Sequence, residues 1–154
     1  VAGASGAVDL VASEVQFITG ALGLTVVQPV LQLYALPGST STGSADSEFS
    51  VRPYTLDAAG TSLLRNQPVS PAGSISVSLT STNAGVGRLV TSAIPGGASN
   101  VTVAIQPGQY GSPSSVAAGG VAFHPVLEGT TGVSATASGF ANFSSATQAV
   151  TVSP

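Results

Sequence analysis

The chain has 154 residues, of which 43% are hydrophobic and 6% charged: three arginines, no lysine, six acids and one histidine. An average soluble domain is charged at roughly a quarter of its positions, and disordered chains combine low hydrophobicity with high charge, so this composition excludes disorder and demands a surface made of Ser, Thr, Asn and Gln. Arg52, Arg65 and Arg88 are scattered and the net charge is −3, which excludes a phosphate-binding basic patch and hence a nucleic-acid partner; the absence of cysteine excludes disulfides and thiolate metal sites.

Residues 1–10 lack the basic start of a signal peptide, and with no methionine even at position 1 the chain is expected to be a mature product or a fragment. Residues 15–36 are apolar enough to suggest a membrane helix, but Gln16, Gln28 and Gln32 interrupt them and Pro29 breaks a helix. No membrane insertion is therefore expected. Residues 22–27 (LGLTVV) read as a strand with imperfect alternation, because Val26 and Val27 are adjacent.

From Val30 onward, short runs rich in Val, Thr and Leu alternate with Gly and Pro. Strands are predicted at residues 30–34, 49–52, 74–80, 86–91, 100–105, 121–123, 133–137 and 149–152. The period of two is clearest where Ile75, Val77 and Leu79 alternate with serines, and where Val101, Val103 and Ile105 alternate with polar or small residues. Turns are predicted at Pro37-Gly38, residues 57–60, 71–73, 83–85 and 95–97, Pro107-Gly108 and Gly119-Gly120. Residues 58–64 are the one candidate for a helical turn. The pattern predicts an all-β, immunoglobulin-like β-sandwich with an additional N-terminal strand segment.

The chain also echoes itself. Residues 8–29 (VDLVASEVQFITGALGLTVVQP) align without a gap on residues 133–154 (VSATASGFANFSSATQAVTVSP), both ending in Val-x-Pro. The offset, 133 − 8 = 125, suggests a tandem repeat of that period. The division that follows is a segment at 1–29, either the tail of a preceding repeat or a strand donated to a neighbour, and a sandwich at 30–154.

Several stretches carry a family likeness. They are Phe49-Ser50-Val51, residues 77–81 (VSLTS), residues 83–89 (NAGVGRL), residues 129–140 (GTTGVSATASGF) and Ala149-Val150-Thr151-Val152. In these the segment from Val30 resembles the Ig-like tandem repeats of large bacterial cell-surface and adhesin proteins. The resemblance implies an extracellular, surface-associated β-sandwich and is silent on ligands. The chain departs from it in carrying less charge and in lacking a counterpart of the acidic inter-domain calcium ligands of some relatives.

Catalytic chemistry finds little support. A nucleophilic triad needs a serine, a histidine and an acid in mutual reach; His124 is the single histidine, no Gly-x-Ser-x-Gly elbow surrounds a serine, and His124 reads as a strand-end residue before Pro125. Asp46 and Glu48 are the one close acidic pair, reading as a solvated loop, and with Asp57 they are the weak candidates for calcium. No catalytic residue, cofactor or metal is expected. Asn100-Val101-Thr102 and Asn142-Phe143-Ser144 are sequons, making Asn100 and Asn142 candidate glycosylation sites, and residues 39–44 are a hydroxyl-rich candidate for O-linked sugar.

Two classes of function follow. The first is a non-catalytic module of an extracellular fibre whose partners are copies of itself, either linked covalently in tandem or joined head to tail by strand addition through Leu22, Leu24, Val26 and Val27. The second is a ligand-binding adhesin module taking a glycan or a cell surface on loops such as residues 106–111, around Tyr110; a virion decoration protein is a further alternative sharing the same fold.

Overall fold

The computed structural model describes residues 6–12 and 20–154. It is all-β, with thirteen strands in three sheets among the described residues. A separate two-stranded antiparallel sheet pairs β1 (Gly6–Ala12) with β2 (Gly20–Val26). The sandwich then begins with β3 (Val30–Tyr34), β4 (Ser39–Ser41), β5 (Ser47–Leu56) and β6 (Leu63–Asn66). It continues with β7 (Ile75–Ser81), β8 (Gly87–Thr91), β9 (Ile94–Ala98) and β10 (Asn100–Ile105), and ends with β11 (Val121–Pro125), β12 (Gly129–Thr136) and β13 (Thr147–Ser153).

One sheet runs β10-β7-β12-β13-β4 and the other β3-β5-β11-β8-β9, with β6 beside the end of β5. The first strand is shared between sheets. β3 pairs antiparallel with β5, the chain turns through residues 35–38, and β4 joins the other sheet parallel to the last strand, β13. Pairing of β5 with β11 on one sheet, and of β7 with β12 and β12 with β13 on the other, completes an Ig-like arrangement.

Alternation builds the core. Val77 and Leu79 of β7, Val101, Val103 and Ile105 of β10, and Val133 and Val150 of β12 and β13 all turn inward. They meet Leu31, Leu33, Phe49, Val51, Leu89 and Phe123 from the facing sheet. Burying each such side chain contributes about 1.5–3 kcal/mol before the entropy of ordering is subtracted. The packing is close: a Cβ on Gly87 would fall 2.1 Å from Cζ of Phe123, so only glycine lets β8 pass that ring. Inside the sheet edge, buried Ser81 donates to the Gly87 carbonyl at 2.7 Å and lies 3.0 Å from the Thr131 hydroxyl. Thr131 in turn accepts from the Asn83 backbone at 2.9 Å. These hydroxyls satisfy the turn between β7 and β8 where a purely apolar contact would strand its polar groups.

Three local expectations are corrected. Residues 58–64 form no helical turn: Asp57 closes a tight turn, its carboxylate accepting from the Thr61 and Ser62 amides at 2.8 and 3.2 Å, and Leu63 and Leu64 enter β6. Residues 95–97 are not a turn but part of β9, an edge strand paired to β8 alone, where a proline need not donate to a neighbour. Two short 3₁₀ turns, Val116–Ala118 and Ser144–Ala146, lie where no element is predicted. No helix among the described residues is long and apolar enough to cross a membrane.

Candidate functional site

Two surfaces stand out among the described residues. The first is the N-terminal hairpin. Its register opposes Val8 to Leu24 and Leu10 to Leu22, and places Gly6 opposite Val26. Because strand side chains alternate, Val8, Leu10, Leu22 and Val26 share one face. That face is not covered by the sandwich: the four are 48%, 54%, 59% and 49% exposed. Val27 lies just past the strand and is exposed too. The opposite face places Asp9 opposite Gly23 and Val11, itself exposed, opposite Ala21.

The hairpin occupies the place of β12 and β13 in the internal echo. Both are antiparallel pairs, and 133 − 125 = 8 carries Val133 of β12 onto Val8 of β1. The registers differ by one residue. Val133 pairs with Gln148, and since 148 − 125 = 23 the transposed partner of Val8 would be Gly23, whereas β1 pairs it with Leu24. A one-residue slip turns a strand over. Here it brings Leu22 and Val26 to the side of Val8 and Leu10, where the transposed register would bring Gly23 and Val27.

The second surface is an open cleft of about 660 Å³ on the outer side of β5. Ser50 and Arg52 of β5 and Asn66 of β6 form its floor, and residues 106–114 form its wall. The wall is fixed by its backbone. Gly108 donates to Val69 and Val69 to Gln109, each at 2.9 Å. Ser112 exchanges two bonds with Val51, amide to carbonyl and amide to hydroxyl, both at 2.9 Å. The Asn66 side-chain amide donates to the carbonyls of Pro53 at 2.7 Å and Tyr110 at 3.0 Å, tying wall to floor. At Gly111 a Cβ would stand 3.0 Å from both Cγ of Arg52 and the Val51 carbonyl, so glycine lets the wall lie against the arginine stem. The Arg52 guanidinium stacks on the Tyr34 ring, 3.3 Å from its centroid. On the same face Gln32 sits opposite Arg52, and its Oε1 is buried without a hydrogen-bond partner.

The remaining sequence candidates are dispersed. His124, next to the end of β11, places Nδ1 2.7 Å from Oδ1 of Asp46, both well exposed. That is two-thirds of a triad, yet among the described residues no hydroxyl bonds the ring. Glu48 accepts from the Val116 amide at 2.8 Å and Asp57 is occupied with its own turn, so the three acids proposed for calcium serve three separate local roles. No group of three metal-ligating side chains occurs among the described residues. Asn142 is exposed in the connection between β12 and β13. Asn100 is exposed too, but its side chain is engaged, accepting from Thr80 at 2.8 Å and donating to Ser99 at 3.1 Å. The hydroxyls of Ser41 and Ser44, in the hydroxyl-rich run, lie 2.8 Å apart and bond each other.

No family model and no curated protein matches the chain. Among solved structures, the chain is similar to domains 4 and 5 of the S-layer protein SbsC, with 18% sequence identity and a TM-score of 0.41; the alignment covers 88% of this chain and 59% of that one. The chain thus spans less than two thirds of that fragment. So distant a similarity assigns no family, and the Ig-like tandem repeats remain a resemblance of sequence pattern.

Proposed function

We propose that this chain is a non-catalytic structural module of an extracellular surface fibre, in which modules follow one another head to tail. The observation that carries the reading is the apolar face of the β1–β2 hairpin, exposed on a segment that echoes β12–β13 of the sandwich. In the sandwich, β12–β13 fills a slot between β7 and β4 and buries Val133, Ala135, Val150 and Val152. The hairpin is the closing pair of a preceding module; in the transposed register Val8, Leu10 and Val27 take the buried places of Val133, Ala135 and Val152 and pack against the facing sheet of that module. The slot of each sandwich is already filled by its own β12–β13, so Leu22, Leu24, Val26 and Val27 could add to a neighbour only at a sheet edge such as β10 or β9, away from the place the echo gives them. This favours modules in covalent series over strand exchange between free copies.

The low charge suits the same role, since a surface with little repulsion tolerates dense packing of copies. Exposed sequons fit an extracellular setting, and Asn142 is the better acceptor because the Asn100 amide is already bonded. Placing residues 30–132 directly before Val8 of the chain keeps the alignment of the echo and supplies the missing part of the preceding module. Electron microscopy of that joined chain is expected to show two similar lobes in line. One lobe trailing an unfolded segment would reject the reading.

A further inference from the structure

The structural role leaves the cleft beside β5 unused, and its chemistry is specific. Arg52 is the one charged residue in its lining, and among the described residues no carboxylate lies within salt-bridge distance of it. Its guanidinium carbon lies over the Tyr34 ring, which holds the group in place, and its N–H groups, without a carboxylate partner among the described residues, suit a bidentate anion. Tyr110 has its carbonyl pinned by Asn66 while the residue as a whole is 58% exposed. An aromatic ring on a fixed backbone is a platform that needs no ordering when a ligand stacks on it. The remaining contacts on offer are neutral: the side chains of Gln106, Gln109 and Ser114 line the cleft and bond no other protein group among the described residues. The volume, about 660 Å³, lies within the range of small-ligand sites, and its open side suits a segment of a longer polymer.

We propose that this cleft binds an acidic saccharide, a sugar chain bearing a ring carboxylate. A sugar ring stacks on Tyr110, the carboxylate meets the Arg52 edge, and the free amides and the Ser114 hydroxyl take the sugar hydroxyls. A neutral glycan leaves Arg52 without a partner, and an acidic peptide leaves the platform and the amides unused. The fibre role does not depend on this site, nor the site on it.

The test is an NMR titration of the intact chain with trigalacturonate, a hyaluronan tetrasaccharide and 3′-sialyllactose, against galactotriose, lactose and a short Asp/Glu peptide. The expected result is a set of shifts confined to residues 106–114 and the Arg52 region for at least one acidic sugar. Binding should fall about tenfold or more in Tyr110→Ala and in Arg52→Gln. Tyr110 is exposed, so its variant folds even if Arg52→Gln disturbs Tyr34. No shifts from any acidic sugar at millimolar concentration, equal shifts from the neutral sugars or the peptide, or unchanged binding by Tyr110→Ala each overturn the proposal.

Discussion

Gln32 shows how one residue can separate stability from function. Its Oε1 is buried without a partner, beside Arg52 on the outer face of β3. A buried acceptor left unpaired costs about 1–3 kcal/mol, so Gln32→Met, of similar volume, should raise the unfolding free energy by about 1 kcal/mol in a denaturant titration. Asp57 makes the opposite case. The Thr61 backbone amide, helped by those of Ser62 and Gly60 and the Thr61 hydroxyl, holds its carboxyl below the ordinary 3.8 against a smaller opposing desolvation. A carboxyl whose folded pKa is depressed stabilises the fold above its unfolded pKa, and loses that contribution as pH falls through the folded value. The stability difference between the natural chain and Asp57→Asn should therefore be constant at neutral pH and shrink below 3.8. A difference that grows on acidification would contradict this sign. Asp57 was legible in the sequence as a turn residue, since aspartate bonds the amides that follow it. The Arg52–Tyr34 stack was not, because it joins two strands diagonally and depends on their register.

At the scale of elements, alternation served best where one face is core. Val30–Tyr34 and Asn100–Ile105 are strands with the bounds that their alternation predicts, and β7 differs by a residue at each end. It failed at edges. β4 is three hydroxyl-bearing residues held by parallel pairing to β13, and β9 carries Pro95, Gly96 and Gly97 while bonding only one neighbour. Such strands owe their conformation to the sheet they join, not to their own pattern. The same holds for the cleft. Residues 106–111 read as a turn-rich loop around Tyr110, but the floor beneath them needs Asn66 of β6, an element whose sequence gave no strand signal. The hairpin's apolar face also yields a prediction of its own. Exposed apolar patches drive association, so the isolated chain should self-associate with rising concentration in sedimentation runs. Replacing Leu10 and Leu22 together with serine should abolish that while leaving the thermal midpoint of the sandwich within about 2 °C, since neither residue contributes to the core. A sandwich that unfolds much earlier in the double variant would show that the hairpin supports its own domain instead.

For the whole molecule, the fold class and the internal echo were readable from spacing, and the position of each partner was not. An echo of 22 residues in a chain rich in Ala, Ser and Val says that two segments are alike; the structure adds that both are antiparallel pairs, one inside a sandwich and one bare. That contrast is the basis for reading the chain as one link in a series. Hydrogen exchange of the Leu10 and Leu22 amides, compared between the chain and the version carrying residues 30–132 before Val8, tests it most directly. Protection that rises in the joined chain to the level of β12 and β13 is the predicted result. Exchange as fast as in the original chain, with the added residues unprotected, would contradict it.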